Sequence, residues 1–441
     1  MQDQTTISPV LIPRAEHNLS RSNISENALK VLYRLKNAGY QAYLVGGGVR
    51  DLLLGREPKD FDVATDAHPE QVRKVFRNCR LIGRRFRLAH VHFGRDIIEV
   101  ATFRGGHAED EGDGDGERWI ENGMIVRDNV YGSLEEDALR RDFTVNALYY
   151  NIADFSVVDQ VGGMADLQAG QLRLIGDPQQ RYREDPVRML RAVRFAGKLG
   201  FSIAPGTERP LSELGHLLGE VPSARLFDEL LKLFHGGAAL DSFEKLRRYG
   251  LFTHLFPDTE ASLARQENDF PITFVSRGLA NTDQRILEDK PVTPAFLFAV
   301  MLWEPVRLRF NELLSGDLGP TEAMLLAAGE ISARQQPIVA IPKRFALPMR
   351  EIWHLQKRFE QRSGKRPYRL LTHPRFRAAY DFLALRAAAG EVETEVVDWW
   401  KEFQSVDPKG RGRMTEPSQA KRRRRRRRRR APATGEVADD G

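Results

Sequence analysis

The spacing of hydrophobic residues changes part-way along the chain and predicts two regions of different structure. Near the start, apolar residues recur at helical spacing after Ser25, which can cap a helix that runs to about residue 38. Short apolar runs that suit strands follow at 42–45, 61–64, 88–93, 97–103, 146–152 and 156–159. The 88–103 and 146–159 segments each predict a hairpin. The first 160 residues therefore predict a mixed α and β structure.

Beyond Gly176, strand-like runs become rare and helical spacing dominates to about Phe403. We therefore place a domain boundary near residue 175. The pattern predicts an α+β fold, in which a head with a mixed sheet is followed by an all-α region. A chain of 441 residues is too long for one ordinary core, so its length also indicates several domains.

Charge is unevenly distributed, and the imbalance lies at the C-terminal end. Residues 409–441 carry thirteen Lys and Arg against four Asp and Glu, a net charge of +9, whereas the whole chain carries +6 and the remainder therefore −3. The excess lies mainly in nine consecutive arginines, which begin with Arg422, Arg423 and Arg424. Like charges at this density repel, so we expect 409–441 to be a disordered arm that binds a polyanion by counterion release, which indicates a nucleic-acid partner. A non-specific solubility or anchoring tail is the alternative.

Composition also excludes several classes of protein. No apolar stretch reaches the roughly 18–20 residues needed to cross a bilayer, and 1–24 is typical of a loose polar leader rather than a secretory signal. The single cysteine, Cys79, cannot form an internal disulfide or a cysteine-based zinc site. We expect a cytoplasmic protein with no membrane span.

A glycine-rich turn directly follows the predicted strand 42–45. Its Gly47 and Gly48 have no side chains and would let a phosphate chain approach the backbone. The turn does not fit a Rossmann motif, because Asp51 stands where a further glycine is needed, and it lacks the Gly-Lys-Ser/Thr of a P-loop. An ordinary turn is the alternative.

Two aspartates lie two positions apart in Lys59-Asp60-Phe61-Asp62-Val63. Residues two apart on a strand point to the same side, so the carboxylates of Asp60 and Asp62 converge while Phe61 turns toward the core. The carboxylates repel unless a cation joins them, and such oxygen ligands suit Mg²⁺ that also binds substrate phosphates. With the glycine turn, they favour metal-assisted nucleotidyl transfer over two solvated aspartates on an edge strand.

A third carboxylate is expected on a neighbouring strand, and the sequence offers two. Glu99 lies in an apolar run, where a lone carboxylate is costly without a partner. Asp142 lies beside Arg141, which could pair with a triphosphate, and near Asn146, which could hydrogen-bond a ribose. A helix cap beside surface arginines is the alternative for Asp142.

A basic helix is predicted after Asp185-Pro186, since proline is favoured at the first helical position. Arg188, Arg191 and Arg194 recur at every third position and spread over an arc of about 120°. Alone, this pattern is typical of an ordinary basic amphipathic helix.

Together these segments resemble the bacterial members of the class II tRNA nucleotidyltransferase and poly(A) polymerase family. The resemblance is dense over about 40–205 and looser in the helical remainder, and its motifs lie at 44–51, 60–65, 97–104, 140–150 and 181–200. It implies a palm-like catalytic head at 25–175, a helical neck at 176–265 that reads the base and binds RNA, and a helical body and leg at 266–408 that bind RNA.

The resemblance also implies roles for individual residues. It makes Asp60 and Asp62 catalytic ligands of Mg²⁺ or Mn²⁺. It makes Asp142 a third catalytic residue, with Glu99 as the less favoured candidate. Asp185 would accept a hydrogen bond from the adenine amino group and Arg188 would donate one to N1, in place of a template. The implied ATP site comprises Gly47, Gly48, Arg50, Arg84, Arg141, Asn146, Asp185, Arg188 and Arg191.

The segment 81–91 distinguishes two activities that share these motifs. It resembles the pattern of family members that add poly(A), and it would bring Arg84, Arg85 and Arg87 beside the active site to contact triphosphate or RNA. We therefore expect template-independent addition of AMP from ATP to the 3′ ends of messenger RNA and other transcripts, with RNA-decay proteins as further partners. CCA addition to tRNA is the first alternative, and a non-catalytic RNA-binding protein is the second. The oligomeric state stays open.

Overall fold

Two units make up the part of the chain that the structure describes. The computed structural model covers residues 9–83, 87–105, 118–121, 124–128, 130–267, 270–271, 273–316 and 318–416. The first unit is Met1–His254 and the second is Leu255–Gly441. Among the described residues, no helix combines the length and the apolarity that crossing a bilayer requires.

Most strands lie in the first unit. The strands are β1 (Val10–Ile12), β2 (Ala42–Val45), β3 (Asp62–Thr65), β4 (Cys79–Ile82), β5 (Leu88–Phe93), β6 (Asp96–Thr102), β7 (Arg118–Glu121), β8 (Met124–Asp128), β9 (Leu148–Asn151), β10 (Val157–Asp159), β11 (Gln171–Leu172), β12 (Ser202–Ile203), β13 (Gln266–Glu267) and β14 (Phe270–Pro271). Eight of them form one sheet in the order β1-β10-β9-β2-β3-β6-β5-β4. Within it β3 and β6 run parallel, and the other neighbours run antiparallel. The predicted mixed sheet is confirmed.

The helices continue through both units. They are α1 (Glu26–Asn37), α2 (Gly47–Leu53), α3 (Pro69–Val75), α4 (Leu134–Arg140), α5 (Gly163–Gln168), α6 (Pro178–Glu184), α7 (Val187–Leu199), α8 (Pro205–Leu214), α9 (Ser223–Phe234), α10 (Ala239–Arg248), α11 (Phe252–Leu255), α12 (Pro257–Leu263), α13 (Phe274–Leu287), α14 (Pro294–Met301), α15 (Trp303–Leu314), α16 (Pro320–Gln335), α17 (Lys343–Gln356), α18 (Arg366–Leu371), α19 (Phe376–Ala388), α20 (Thr394–Ser405) and α21 (Pro408–Met414). The predicted helical region after the head is confirmed, apart from short two-residue strands.

The local signals act as expected at several boundaries. The Ser25 side chain accepts a hydrogen bond from the Ala28 N–H and caps α1. The hairpin between β5 and β6 turns at Gly94, whose φ of +64° suits glycine.

One boundary differs, because β3 begins at Asp62 and Asp60 lies just before it. The C-terminal end differs as well. Helix α21 extends into the segment expected to be disordered, because the Asp407 side chain accepts from the Gly410 N–H and caps it.

The sheet separates an apolar face from the face that carries the candidate site. Leu44, Val63 and Val100 are register partners on neighbouring strands, and each is at most 1% exposed. The next residue along each strand points to the opposite face. There Val45, Ala64 and Tyr149 pack with Ala138 of α4. The apolar face therefore fixes the strands that present polar residues on the other side.

The second unit is held by aromatic packing. Trp303, Phe274 and Phe382 meet with ring centroids 5.1–6.3 Å apart. The indole N–H of Trp353 donates to the Ala299 carbonyl at 3.1 Å, and that of Trp400 donates to the Phe359 carbonyl at 2.9 Å. Because both buried indole N–H groups have hydrogen-bond partners, the unit avoids the desolvation penalty of a buried donor without an acceptor.

Gly163 allows α5 to lie directly against the turn Thr144–Asn146. A Cβ at this position would stand 2.2 Å from the Thr144 carbonyl oxygen. We expect Gly163→Ala to lower the free energy of unfolding by about 2–3 kcal/mol, because backbone must move to admit the methyl group. Gly206→Ala is the matched control: nothing lies within 4 Å of its Cβ position, so stability should stay constant or rise by about 0.5–1 kcal/mol. Denaturant unfolding measures both changes, and equal stability of the two variants would contradict this packing.

Candidate active site

A row of polar side chains crosses the sheet on the face opposite the apolar core. Asp62 of β3 is the register partner of Glu99 of β6, which is the partner of His90 of β5. Neighbouring strands lie about 4.8 Å apart, so these side chains face one another. His90 Nε2 lies 3.4 Å from Glu99 Oε2. Two carboxylates thus stand side by side on a fixed scaffold.

The environment of Asp62 disfavours a negative charge. Burial raises the pKa of Asp62 to about 6, and repulsion from Glu99 and Asp60 adds to the effect, while Arg141 opposes it. Asp60 is exposed and Asp62 is half-buried. The three carboxylates share one electrostatic field, which a cation would relieve.

The glycine turn lies directly on the backbone that carries the aspartates. Gly46, with φ +69°, connects β2 to α2. A Cβ at Gly48 would stand 3.3 Å from the Asp60 carbonyl oxygen. Gly48 therefore permits the close approach of the turn to the aspartate pair, and a side chain there would push the two apart.

Arg141 is held over this turn by a buried pair of partners. Its Nε donates to the Tyr149 hydroxyl at 2.7 Å, and its Nη2 lies 3.1 Å from Asp137 Oδ2. Burial lowers the pKa of Arg141, but Tyr149 and Asp137 outweigh burial and leave it raised. A Cβ at Gly46 would stand 3.5 Å from Arg141 Nη1. A permanent positive charge thus lies beside the glycine turn and Asp62.

Asp142 has a different environment from Asp62. Its carboxylate accepts from Arg191 at 2.5 and 2.7 Å, from Asn146 Nδ2 at 3.2 Å and from the Phe143 N–H at 2.8 Å. Burial raises the pKa of Asp142, but Arg191 outweighs burial and lowers the pKa to about 2. Asn146 in turn accepts from Arg50 at 2.6 Å. Asp142 therefore joins a hydrogen-bonded chain from α7 to α2, whereas Glu99 faces Asp62.

The predicted base-reading residues lie where α6 ends and α7 begins. Asp185 Oδ2 accepts from Arg225 of α9 at 2.7 Å. Arg188 donates to the Arg181 carbonyl at 2.7 Å and to Glu184 at 3.1 Å. Both side chains are thus anchored within the helical part of the first unit, and their role in base reading stays a prediction.

Sequence reasoning missed several residues of this region. Tyr149 and Asp137 hold Arg141, and Phe195 lies under the guanidinium groups of Arg50, Arg191 and Arg194 at 4.3–5.4 Å. The alternation of the predicted strand 146–152 could have placed Tyr149 on the face of the site. For Asp137 and Phe195 the sequence carries no comparable signal.

Other predicted residues lie away from this cluster or outside the described residues. Arg87 pairs with Glu70 at 2.8 Å, with both side chains about half exposed. Arg84, Arg85, Arg422, Arg423 and Arg424 lie outside the described residues. In the described part of the chain, no group of three His, Cys, Asp or Glu residues is close enough to hold a metal alone.

Comparison with known proteins places the whole arrangement in a family. Residues 42–173 match the poly A polymerase head domain, residues 200–263 match the probable RNA- and SrmB-binding site of polymerase A, and residues 316–432 match the arginine-rich C-terminus of polymerase A. The poly(A) polymerase I of Salmonella typhimurium is 53% identical over 412 residues, which cover 92% of this chain and 88% of the relative. The chain belongs to the poly(A) polymerase family.

Similarity to CCA-adding enzymes is more distant. The CCA-adding enzyme of Geobacillus stearothermophilus is 38% identical over 231 residues, which cover 52% of this chain and 54% of the relative. A solved structure of a tRNA-processing enzyme in an apo form has a TM-score of 0.58 and 25% identity, and the match covers 92% of this chain and 98% of that one. The predicted family and the predicted nucleotidyltransferase fold are therefore confirmed. For this member of the poly(A) polymerase family, CCA addition is the less favoured activity.

The raised pKa of Asp62 predicts a stability cost at neutral pH. The native state holds the Asp62 proton up to about pH 6, whereas the ordinary pKa is 3.8, so stability falls as pH rises through this interval. We expect Asp62→Asn to raise the free energy of unfolding by about 1–2 kcal/mol at pH 7.5 without metal, since the partial exposure of Asp62 weakens the repulsion.

The gain should vanish at pH 4, where the wild-type carboxyl is protonated in both states. Glu213→Gln is the control, because the exposed Glu213 forms an ion pair with Arg209 and accepts one long hydrogen bond from Gln179 at 3.4 Å. Denaturant unfolding in a chelating buffer measures the difference. This electrostatic account would be contradicted if the stability gain of Asp62→Asn over wild type were no larger at pH 7.5 than at pH 4.

Proposed function

We propose that this protein adds AMP from ATP to RNA 3′ ends without a template and releases pyrophosphate. The observation that carries the proposal is the pairing of Asp62 with Glu99 across the β3–β6 ladder, beside Asp60 and below the glycine turn. Carboxylates that repel one another are suited to a divalent cation bound with a nucleotide. Nucleotidyltransferases that use ATP or CTP depend generally on such a metal.

The donor set at this face fits Mg²⁺, or Mn²⁺ in its place. Asp60 and Asp62 would hold the cation, and Glu99 would add negative charge at its side. Because these oxygens are few, substrate phosphate and water would complete the coordination. A cation bound there would make the RNA 3′-hydroxyl more acidic and offset charge on the departing pyrophosphate.

Arg141 and the glycine turn would bind the triphosphate. The turn leaves Gly47 part-exposed while Gly48 is buried against the Asp60 backbone, and Arg141 is directed over Gly46 by Tyr149 and Asp137. An arginine that is already oriented loses little side-chain entropy on binding, and charge-assisted hydrogen bonds to phosphate are strong. Arg141 would therefore stabilise the charge that develops during transfer.

The chain of hydrogen bonds through Asp142 would position further nucleotide ligands. Asp142 orients Arg191 and Asn146, and Asn146 orients Arg50. We propose that Asp142 acts by this positioning, while Glu99 serves as the third carboxylate at the cation. Arg191 would reach phosphate, and Asn146 would contact the ribose.

Adenine selection would lie with Asp185 and Arg188. Asp185 is anchored by Arg225, and Arg188 is anchored by Glu184. Held in this way, a carboxylate could accept from the adenine amino group and a guanidinium could donate to N1. Guanine and uracil present a carbonyl acceptor and a ring N–H donor instead, so this pair would reject them. Cytosine, like adenine, offers an amino donor beside a ring-nitrogen acceptor, so its exclusion would depend on the size of the base rather than on this pair.

RNA would be bound beyond the catalytic face as well. Binding of RNA by the segment 200–263 agrees with its family match, and Arg85, Arg87 and the arginine run from Arg422 would add contacts to the backbone. Proteins of RNA decay would be further partners. We place the protein in the cytoplasm, because its one cysteine fits a reducing compartment and its substrates are RNA and ATP.

A primer-extension assay tests this function. With Mg²⁺ and a labelled RNA of generic sequence, ATP alone should give a long ladder of products, whereas CTP, GTP or UTP should give little. Asp62→Ala should slow extension about 1,000-fold or more, since metal stabilisation contributes several kcal/mol. The exposed Glu213→Gln variant is the control and should extend at the wild-type rate.

A transfer RNA that lacks its CCA end serves as the second substrate. Products that stop after C, C and A on this RNA, with none on the generic RNA, would contradict the proposal and establish CCA addition. RNA binding without any extension would establish the non-catalytic alternative.

A further inference from the structure

A basic cavity in the second unit lies outside the catalytic face described above. It has a volume of about 410 Å³ and lies among α13, α14, α17 and α19, which contact one another. Its charged lining consists of four arginines against one aspartate, namely Arg285, Arg344, Arg375, Arg377 and Asp381. A cavity of this size accommodates a ligand rather than single water molecules.

Two of the four arginines form no ion pair with a carboxylate of the described residues. Arg377 pairs with Asp381 at 3.1 Å, and Arg375 pairs with Glu351 at 3.1 Å. Arg344 forms no ion pair in the described part of the chain. Arg285 donates to the Pro291 carbonyl at 3.1 Å, and its acidic neighbour Glu288 pairs with Lys290 instead. The cavity therefore has an excess of positive charge that is available to an anionic ligand.

A second cavity of the same unit shows that this excess is not general. It has a volume of about 450 Å³ and carries three arginines against three carboxylates. There Arg309 pairs with Glu330 at 2.7 Å and Arg334 pairs with Asp258 at 2.8 Å. The charges of this second cavity compensate one another. Of the two cavities, the one at α17 is therefore the one suited to a polyanion.

Apolar surface interrupts the positive charge of the cavity at α17. Phe345 is half-buried and lies under the guanidinium of Arg344 at 4.9 Å. Pro348 and Pro374 also line the cavity. Cationic side chains that alternate with flat apolar surface are typical of sites for single-stranded nucleic acid, in which phosphates meet the cations and bases stack.

We propose that this cavity binds single-stranded RNA upstream of the 3′ end that is extended. Arg285 and Arg344 bind its phosphates, and Phe345 with the prolines contacts its bases. This inference rests on the proposed function, because it assigns a second contact for the RNA substrate. The contact tightens binding of long RNA and leaves adenylate transfer itself unchanged.

Removal of both unpaired arginines tests the cavity. The full-length Arg285→Ala/Arg344→Ala variant should bind a generic RNA of about 24 nucleotides about tenfold more weakly than wild type, and the salt dependence of binding should fall by about 1.4 in slope. Fluorescence anisotropy without ATP measures binding, so failure of the proposed adenylate transfer would not affect this result. Steady-state extension should show a raised KM for the long RNA and an unchanged kcat.

Arg265→Ala/Arg369→Ala is the matched control. It removes the same charge from two exposed arginines of the same unit that form no ion pair with described residues, and it should change affinity less than twofold. Arg344→Gln is a milder second variant, because its exposed side chain forms no hydrogen bond with described residues, and it should weaken binding about threefold.

Several outcomes would overturn the assignment. Equal affinities of the cavity variant and the matched control would show that the loss is a general charge effect. Equal weakening for an RNA of about 6 nucleotides and for the long RNA would place the contact at the 3′ end instead. Competition by a polyglutamate peptide as strong as that by RNA of equal charge would indicate an acidic protein partner.

Discussion

The arrangement of this protein depends on two carboxylates that the sheet holds next to each other. Asp62 and Glu99 are register partners on the parallel strands β3 and β6, and neither can move away without disrupting the ladder. Burial, together with repulsion from Glu99, raises the pKa of Asp62 to about 6. The same strands bury Val63 and Val100 on the opposite face, so apolar packing supplies the free energy that keeps the carboxylates together. The cation that we propose at this site would relieve the repulsion.

The positive groups around the pair are oriented by separate contacts. Tyr149 and Asp137 hold Arg141, and Asp142 holds Arg191, so each guanidinium is fixed from behind by a buried or half-buried partner. Gly48 then brings the glycine turn against the Asp60 backbone. A change at Tyr149 or Asp142 would therefore alter the orientation of Arg141 or Arg191 without removing either guanidinium. The different partners also explain why the pKa of Asp62 is raised and that of Asp142 is lowered. Asp62 lies beside the carboxylate of Glu99, whereas Asp142 is paired with Arg191.

Much of the head could be predicted because its signals are local. The cap at Ser25, the hairpin at Gly94 and the strand 42–45 follow from a few neighbouring residues. The sequence favoured Asp142 over Glu99 as the third carboxylate, but it could not show the environments of the two, because these depend on the pairing of β3 with β6 and on an ion pair that joins Asp142 to Arg191, 49 positions apart. Spacing along one strand does not specify its neighbour. The contacts among α13, α14, α17 and α19 were equally inaccessible, since helical periodicity indicates a buried face but not what covers it.

The most direct test of this account is the binding of Mn²⁺, measured by electron paramagnetic resonance with a non-hydrolysable ATP analogue. If the Asp62–Glu99 pair forms the cation site, Glu99→Gln should weaken Mn²⁺ binding about tenfold or more. Asp142→Asn should leave Mn²⁺ affinity close to that of wild type, because its carboxylate is engaged by Arg191. Loss of Mn²⁺ binding in Asp142→Asn, with wild-type affinity in Glu99→Gln, would contradict the account and make Asp142 the third carboxylate.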